Sequence, residues 1–441
     1  MTITRSVENE PETDSNGTLI EPLNVLLIAY ACEPGRGSEP GTGWNMALGL
    51  ARFHRVTVAT RANNRPVIER FLEHNDCPTP DFLYVDPPSW ALRLKSLHIL
   101  PVQLFYLFWQ REVDRILKKQ GVAFDILHQL TFNSFEVPPL AFKDATGVKI
   151  WGPVGGGQTV AGPMLAAFSG LDRVKEWVRN LRVRASAANP LCGRILRECS
   201  LVLFANHETQ RLLVNRCFRE TGMMIDVGVD AGKFSTLDQR PRRAKLTLLS
   251  AGRLESRKGV ILLIKAFERL APKYPQLELR IVGTGPLLNV LGKFVRTHQL
   301  SDRVVFTGAI SHDMMTREFE TADVFVFPSL RDTSGAVVLE AMAMALPVVC
   351  FDHQGAALMV DDSCGIRVSG KGIQECVEAL GNAIEHLILN RDLRHTCGMN
   401  ARRSAVGRHD WRVKVERIND YYRRLTSNEQ SSIAAESHQP S

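Results

Sequence analysis

The chain's 441 residues, 44 % of them hydrophobic, are ample for two sizeable domains, each with its own core. A net charge of +7 and a pI near 9.0 suit an anionic partner, and the lack of any nucleic-acid motif leaves a small anionic substrate or a membrane surface. Nine cysteines without a Cys-x-x-Cys pair suit free thiols in a reducing compartment rather than a disulfide framework, and no metal site is indicated.

Residues 1–20 are polar and carry Glu8, Glu10, Glu12 and Asp14 where a signal peptide needs an apolar core, so a disordered tail on a cytoplasmic chain is expected. Asn24 to Ala29 reads as an apolar strand that runs into a glycine-rich loop, Cys32 to Trp44, before a helix from Asn45 to Arg52. Bare backbone at Gly41 and Gly43 can approach a phosphate or sugar closely, although glycines that supply only turn geometry explain the same pattern. Further on, Leu92-Arg93-Leu94-Lys95 precedes an apolar, aromatic stretch, Ile99 to Trp109, too short to cross about 30 Å of hydrocarbon. His128 ends the strand-like Phe124-Asp125-Ile126-Leu127, where a ligand-facing side chain is expected. A strand at Val148-Lys149-Ile150 leads to a loop, Trp151 to Gln158. Between residues 172 and 198, Arg173, Lys175, Arg179, Arg182, Arg184, Arg194 and Arg197 outnumber Asp172, Glu176 and Glu198 by seven to three. Such a segment suits docking on anionic lipid, and a buried helix with a solvated basic flank explains it equally.

The pattern breaks between Asp226 and Lys245, where glycines and the polar run Asp238 to Arg243 mark a linker. Strands are then expected at Leu246–Leu249, Leu277–Val282, Val304–Gly308 and Val324–Phe327, with helices at Leu287–Leu300 and Met314–Ala322 between them. Strands alternating with helices argue a parallel, doubly wound sheet with ligands at the carboxyl ends of its strands. The first of these strands leads into Ser250-Ala251-Gly252-Arg253-Leu254-Glu255-Ser256-Arg257-Lys258-Gly259. The last leads into Pro328-Ser329-Leu330-Arg331-Asp332-Thr333-Ser334-Gly335-Ala336-Val337-Val338-Leu339-Glu340. Two carboxylates, Asp332 and Glu340, eight residues apart, bracket the start of an apolar helix whose free N–H groups can hold phosphate oxygens. His409-Asp410-Trp411-Arg412 opens a last helix ending near Leu425, and residues 426–441 are expected to be a disordered polar tail.

These two segments resemble the motifs of the retaining, family-four (group 1) glycosyltransferases of the GT-B fold: Gly-Arg-Leu-x-x-x-Lys-Gly and, about eighty residues later, an acidic pair spaced by seven residues. The match is residue for residue at Gly252, Arg253, Leu254, Lys258 and Gly259, and it covers most of the C-terminal half. The N-terminal glycine-rich loop looks like that of bacterial exopolysaccharide enzymes. The resemblance implies two facing, Rossmann-like, doubly wound α/β domains with a cleft between them. The first, acceptor-side domain would take residues 21–227 and receive the last helix, 409–425, and the second, nucleotide-sugar-binding domain would take residues 244–408. It implies a retaining, hexosyltransferase-type enzyme that moves a sugar from a nucleotide donor to a glycan or polyprenyl-linked acceptor in cell-surface or exopolysaccharide synthesis, and the apolar and basic segments above add an expected contact with the inner membrane face.

The implied roles follow the family motifs. Arg253 and Lys258 hold the diphosphate, Asp332 the donor sugar and Glu340 the ribose. Ser334, Gly335 and Ala336 line the phosphate end of the helix, Gly308 and Ile310 lie against the base, Gly41 and Gly43 face the cleft, and His128 stands near the sugar. No cofactor and no metal are expected, because two fixed cations stabilise the charge that grows on the leaving diphosphate. A catalytically silent GT-B-like scaffold, or an inverting transferase or epimerase on the same fold, remain as alternatives. Three departures from the family pattern stand out: Asp332 where glutamate is commoner, Thr333-Ser334 where a bulkier pair is usual, and Ala345 where glycine is usual. The last implies a helix end that is either not left-handed or strained by roughly 1 kcal/mol.

Overall fold

The structure, a computed structural model, describes residues 21–143, 145–168, 170–216, 218–234 and 245–437. The expected tail at 1–20, the linker run 238–243 and residues 438–441 lie outside these. The chain divides into two compact units. One takes the residues up to Gly157, Arg184–Val227 and Trp411 onward, and the other takes Gln158–Val183 and Gly228–Asp410. Residues 158–183 thus leave the stretch expected to belong wholly to the first domain.

The first unit is built on a seven-stranded parallel sheet of β1 (Asn24–Ile28), β2 (Arg55–Arg61), β3 (Asp81–Val85), β4 (Ile126–Gln129), β5 (Val148–Val154), β6 (Leu201–Phe204) and β7 (Thr221–Met223), in the order β3-β2-β1-β4-β5-β6-β7. Its central strands read as unbroken apolar runs because helices cover both faces of a parallel sheet. The helix Trp411–Ser437 closes this unit with Val415, Ile418, Tyr422 and Leu425, one stripe at helical spacing packed into the core with Trp44 and Leu50. Gly49 lets it approach the helix Ser38–Leu50: a Cβ there would lie 2.3 Å from a methyl of Val415. Residues 426–437 continue this helix, with Thr426 and Ser427 hydroxyls donating to the carbonyls of Tyr422 and Arg423, so these residues are helical where a disordered tail was expected.

The second unit carries a six-stranded parallel sheet of β8 (Leu246–Ala251), β9 (Leu277–Val282), β10 (Val304–Gly308), β11 (Val324–Phe327), β12 (Val348–Phe351) and β13 (Gly365–Val368), in the order β10-β9-β8-β11-β12-β13. Counted within the unit this is 3-2-1-4-5-6, so the chain reverses direction across the sheet between β8 and β11. A crevice forms at the carboxyl ends of those two strands, where doubly wound sheets bind ligands. Gln158–Val183 completes the unit. Val160, Met164 and Phe168 join its apolar core, and the Asn180 side chain pairs with both backbone groups of Val160.

The helix Ala336–Ala343 ends as its neighbours require. Ala345 N–H donates to the Met342 carbonyl and Leu346 N–H to that of Ala341, the paired closure that places one residue in the left-handed region. That residue is Ala345, with φ +55°, so of the two possibilities left by the sequence the strained one is realised. Ala345→Gly should therefore raise stability by about 1 kcal/mol, read as a shift of the denaturation midpoint at unchanged slope.

Candidate functional site

The loop after β8 turns sharply at Gly252, makes one short turn over Ser256–Lys258 and enters the helix Val260–Leu270 through Gly259. Gly259 has φ +63°, and a Cβ there would stand 2.0 Å from the Pro328 carbonyl oxygen, so glycine alone lets this loop press against the end of β11. The Lys258 ammonium is held there. It donates to the Asp332 carboxylate and lies 5.4 Å from the Phe327 ring centroid. Arg257 brings a second cation, with Nη1 3.8 Å from the other Asp332 oxygen and Nε 2.9 Å from Glu255. Arg253 is mostly exposed and also pairs with Glu255, at 2.7 Å. Gly252, Arg253, Lys258, Phe327 and Pro328 line one hollow at the carboxyl end of the sheet.

The loop after β11 is held from three sides. Leu330 N–H donates to the Arg257 carbonyl, fixing it to the β8 loop. Asp332 N–H donates to Gln354 Oε1 at 2.6 Å, and Gln354 Nε2 reaches the Leu330 carbonyl at 3.3 Å. Gln354 is buried with φ +59°, a conformation costly for any residue but glycine and tolerated where surroundings over-determine it. From the third side, Gln158 Nε2 donates to Thr333 Oγ1 at 2.7 Å, while Glu176 receives Arg331 through both oxygens, at 2.6 and 3.1 Å. Ser256 donates to Asp172 of the same helix as Glu176.

Ser334, Gly335 and Ala336 form the entry to the helix Ala336–Ala343. Ser334 is buried and its hydroxyl has no hydrogen-bond partner, while the first N–H groups of the helix are free of intrahelical partners. Gly335 is extended, and its hydrogen faces the Phe327 ring: a Cβ would lie 2.8 Å from Cζ. Glu340 follows one turn into the helix. Burial pushes its carboxyl up, with His312 opposing, and no hydrogen bond or ion pair among the described residues engages it. Gly308, with φ +74°, and the half-buried Ile310 lie at the same carboxyl edge, two strands from β8.

Three residues expected at the site stand elsewhere. His128 lies inside β4, not after it, and is fully buried. Its Nδ1 meets the Tyr422 hydroxyl and its Nε2 the Gly152 carbonyl, both at 2.7 Å, so neither ring nitrogen is left for a ligand. Burial pushes its pKa down to about 4. A histidine held below its ordinary 6.5 contributes stability at neutral pH that is lost as pH falls from 6.5 towards 4, here roughly 3 kcal/mol. His128→Gln should reduce the fall in melting temperature between pH 6.5 and 4 without abolishing it, because burial holds the His54 pKa down to about 4 as well.

Gly41 and Gly43 are the other two. The helix expected from Asn45 begins at Ser38, so both glycines are buried in its first turns. A Cβ would meet the Arg36 carbonyl oxygen at 2.2 Å from Gly41 and the Ala31 carbonyl oxygen at 2.1 Å from Gly43. Their missing side chains admit the chain's own backbone rather than a ligand. Conversely, Gln158, Glu176 and Gln354 hold the Asp332 loop but carry no motif. Arg257 was visible only as a neighbour of Lys258.

Residues 237–404 match the family described as "Glycosyl transferases group 1". The alpha-D-kanosaminyltransferase of Streptomyces kanamyceticus is 28 % identical over 204 residues, covering 44 % of this chain and 52 % of that protein. The GDP-mannose-dependent alpha-(1-6)-phosphatidylinositol monomannoside mannosyltransferase of Mycobacterium tuberculosis is 28 % identical over 195 residues, 42 % of this chain and 48 % of that one. The match thus spans about half the length of these curated relatives. Among solved structures, Anabaena Alr3699/HepE in complex with UDP and glucose superposes with a TM-score of 0.58 at 18 % identity, over 90 % of this chain and 99 % of that one. That likeness identifies the fold as GT-B, with two parallel-sheet α/β domains.

Proposed function

We propose that the chain, whose residues 237–404 match the glycosyl transferases group 1 family, is a retaining glycosyltransferase that moves a sugar from a nucleoside diphosphate donor to a glycan or lipid-linked acceptor in cell-surface polysaccharide synthesis. The observation that carries this is the meeting of Lys258 with Asp332 where the sheet reverses direction, with Arg253 beside them and Glu340 unpaired behind. Cleaving the donor leaves a diphosphate with one more negative charge. Lys258 and Arg253 stabilise that charge as it grows, which lowers the barrier rather than merely tightening binding, and no metal ion is needed for it. The unpaired N–H groups at Ser334–Ala336 take phosphate oxygens. Glu340 accepts from the ribose hydroxyls, Gly308 and Ile310 border the base, and Asp332 turns to the donor sugar.

Without donor, Lys258 and Asp332 neutralise each other. Binding replaces one carboxylate partner of Lys258 by phosphate and frees Asp332 for the sugar, so the site exchanges ion pairs rather than burying a lone charge. The HepE structure holds UDP and glucose, and the names of the two curated relatives describe sugar transfer, which supports the class of donor and reaction. A panel of nucleotide sugars tested for thermal stabilisation identifies the donor. NMR of the product's anomeric proton then tests the reaction: retained configuration is expected, whereas inversion, or stabilisation by no nucleotide sugar, overturns the proposal.

A further inference from the structure

The helix Gly170–Ala187 is turned inside out relative to an ordinary surface helix. Its polar face is the buried one: Asp172, Glu176 and Asn180 point into the second unit and are engaged by Ser256, Arg331 and Val160. Its apolar face looks outward, with Leu171, Val174, Trp177, Val178 and Leu181 between 50 and 75 % exposed. At 3.6 residues per turn these five fall within an arc of about 120°. Exposed basic residues border that arc on both sides, Lys175 and Arg182 along one edge and Arg173 and Arg184 along the other. Solvent-facing helices normally show the reverse pattern, and a contiguous apolar stripe of this kind marks a surface that something covers.

We infer that this stripe docks in the plane of an anionic lipid surface, its apolar side chains in the acyl boundary and its bordering cations among the head groups. The occupant follows from charge and shape. Cations on both edges of an apolar stripe match a flat, negatively charged interface, where aromatic and aliphatic side chains enter and basic stems lie level with the phosphates. No helix among the described residues is long and apolar enough to cross a membrane, so the contact is a surface one. The other apolar segment noted in the sequence is divided: Phe105, Tyr106 and Trp109 are fully buried, whereas Ile99, Val102 and Leu104 are exposed without a continuous stripe of this kind. Arg194 and Arg197 belong to a separate helix, Pro190–Glu198. Because Glu176 and Arg331 tie the docking helix to the Asp332 loop, the site would stand about one helix diameter from the lipid, within reach of an acceptor anchored there.

The test is co-sedimentation of the full chain with phosphatidylglycerol or phosphatidylcholine vesicles at low and high salt, comparing native protein with L171D/V178D and with K175E. Native protein is expected to pellet with phosphatidylglycerol at low salt and to be released by high salt, with at least tenfold weaker partition for L171D/V178D and a smaller loss for K175E. The milder L171S serves if the double variant does not fold, judged by circular dichroism. No pelleting of native protein, or equal pelleting of L171S or L171D/V178D, overturns the inference. So does sedimentation velocity showing a dimer that L171D/V178D breaks without lipid binding, because the stripe would then be covered by a second copy. The assay contains no nucleotide and no sugar, so its outcome stands apart from that of the glycosyl-transfer proposal.

Discussion

Lys258→Ala is expected to lose about a hundredfold in turnover, on the order of 3 kcal/mol, at saturating donor. On the proposed reaction the loss falls on turnover, because the ammonium would face a leaving group whose negative charge is greatest in the transition state, and an interaction strongest there raises kcat rather than lowering KM. A second effect follows from the ion pair: without Lys258, Asp332 keeps Arg257 at 3.8 Å and meets a bound diphosphate as a like charge that is only partly compensated. Lys258→Arg should recover part of the rate, since the charge returns but the guanidinium overfills the space against Phe327. Arg253→Ala is expected to lose less, because its side chain is 72 % exposed and its charge is more strongly screened. Wild-type turnover in Lys258→Ala would remove this residue from the reaction.

Arg331→Ala carries the largest expected effect on stability. Glu176, 7 % exposed in the native chain, would keep Arg179 at 3.8 Å as its remaining cation, and breaking one side of a buried pair costs about 3–5 kcal/mol. Replacing both partners, as E176L/R331L, should recover much of that, because no buried charge is left without its partner. Chemical denaturation of the two variants and the native chain measures the difference, with the slope checked for loss of a single transition. Activity separates packing from positioning. The double variant should remain slow even where its stability returns, since the loop that presents Asp332 has lost its third anchor. A double variant as active as the native chain would leave Glu176 with a purely structural part.

The second unit was legible in the sequence to a degree the first was not, and the reason is physical. In residues 246–340 the signals are local: strands as unbroken apolar runs, glycines where backbone meets backbone, and charged residues directly after strand ends. Gly259 and Lys258 could therefore be read from one loop. His128 failed because a histidine at a strand end and one inside a strand look alike; its two partners, Gly152 and Tyr422, the latter nearly three hundred residues later, are what satisfy it in the core. Gly41 and Gly43 failed because a glycine that admits a ligand and one that admits the chain's own carbonyl share one local signature. Gln158, Glu176 and Gln354 were invisible, since each acts through a contact between distant segments. The stripe on the Gly170–Ala187 helix was half legible: its charge excess was plain, but which face it buries was decided by Arg331 and Ser256.

In the proposed reaction two carboxylates divide the labour, and calorimetry with the bare nucleoside diphosphate tests that division most directly. Product and donor share the ribose, so Glu340→Ala should weaken binding by about tenfold or more, near the 1.4 kcal/mol of one charge-assisted hydrogen bond. Product lacks the sugar, and Asp332 occupies Lys258 when the site is empty. Asp332→Ala should therefore bind the nucleoside diphosphate at least as tightly as the native chain while losing transfer. Equal weakening in the two variants would contradict the account, and unchanged binding in Glu340→Ala would take the ribose away from that residue.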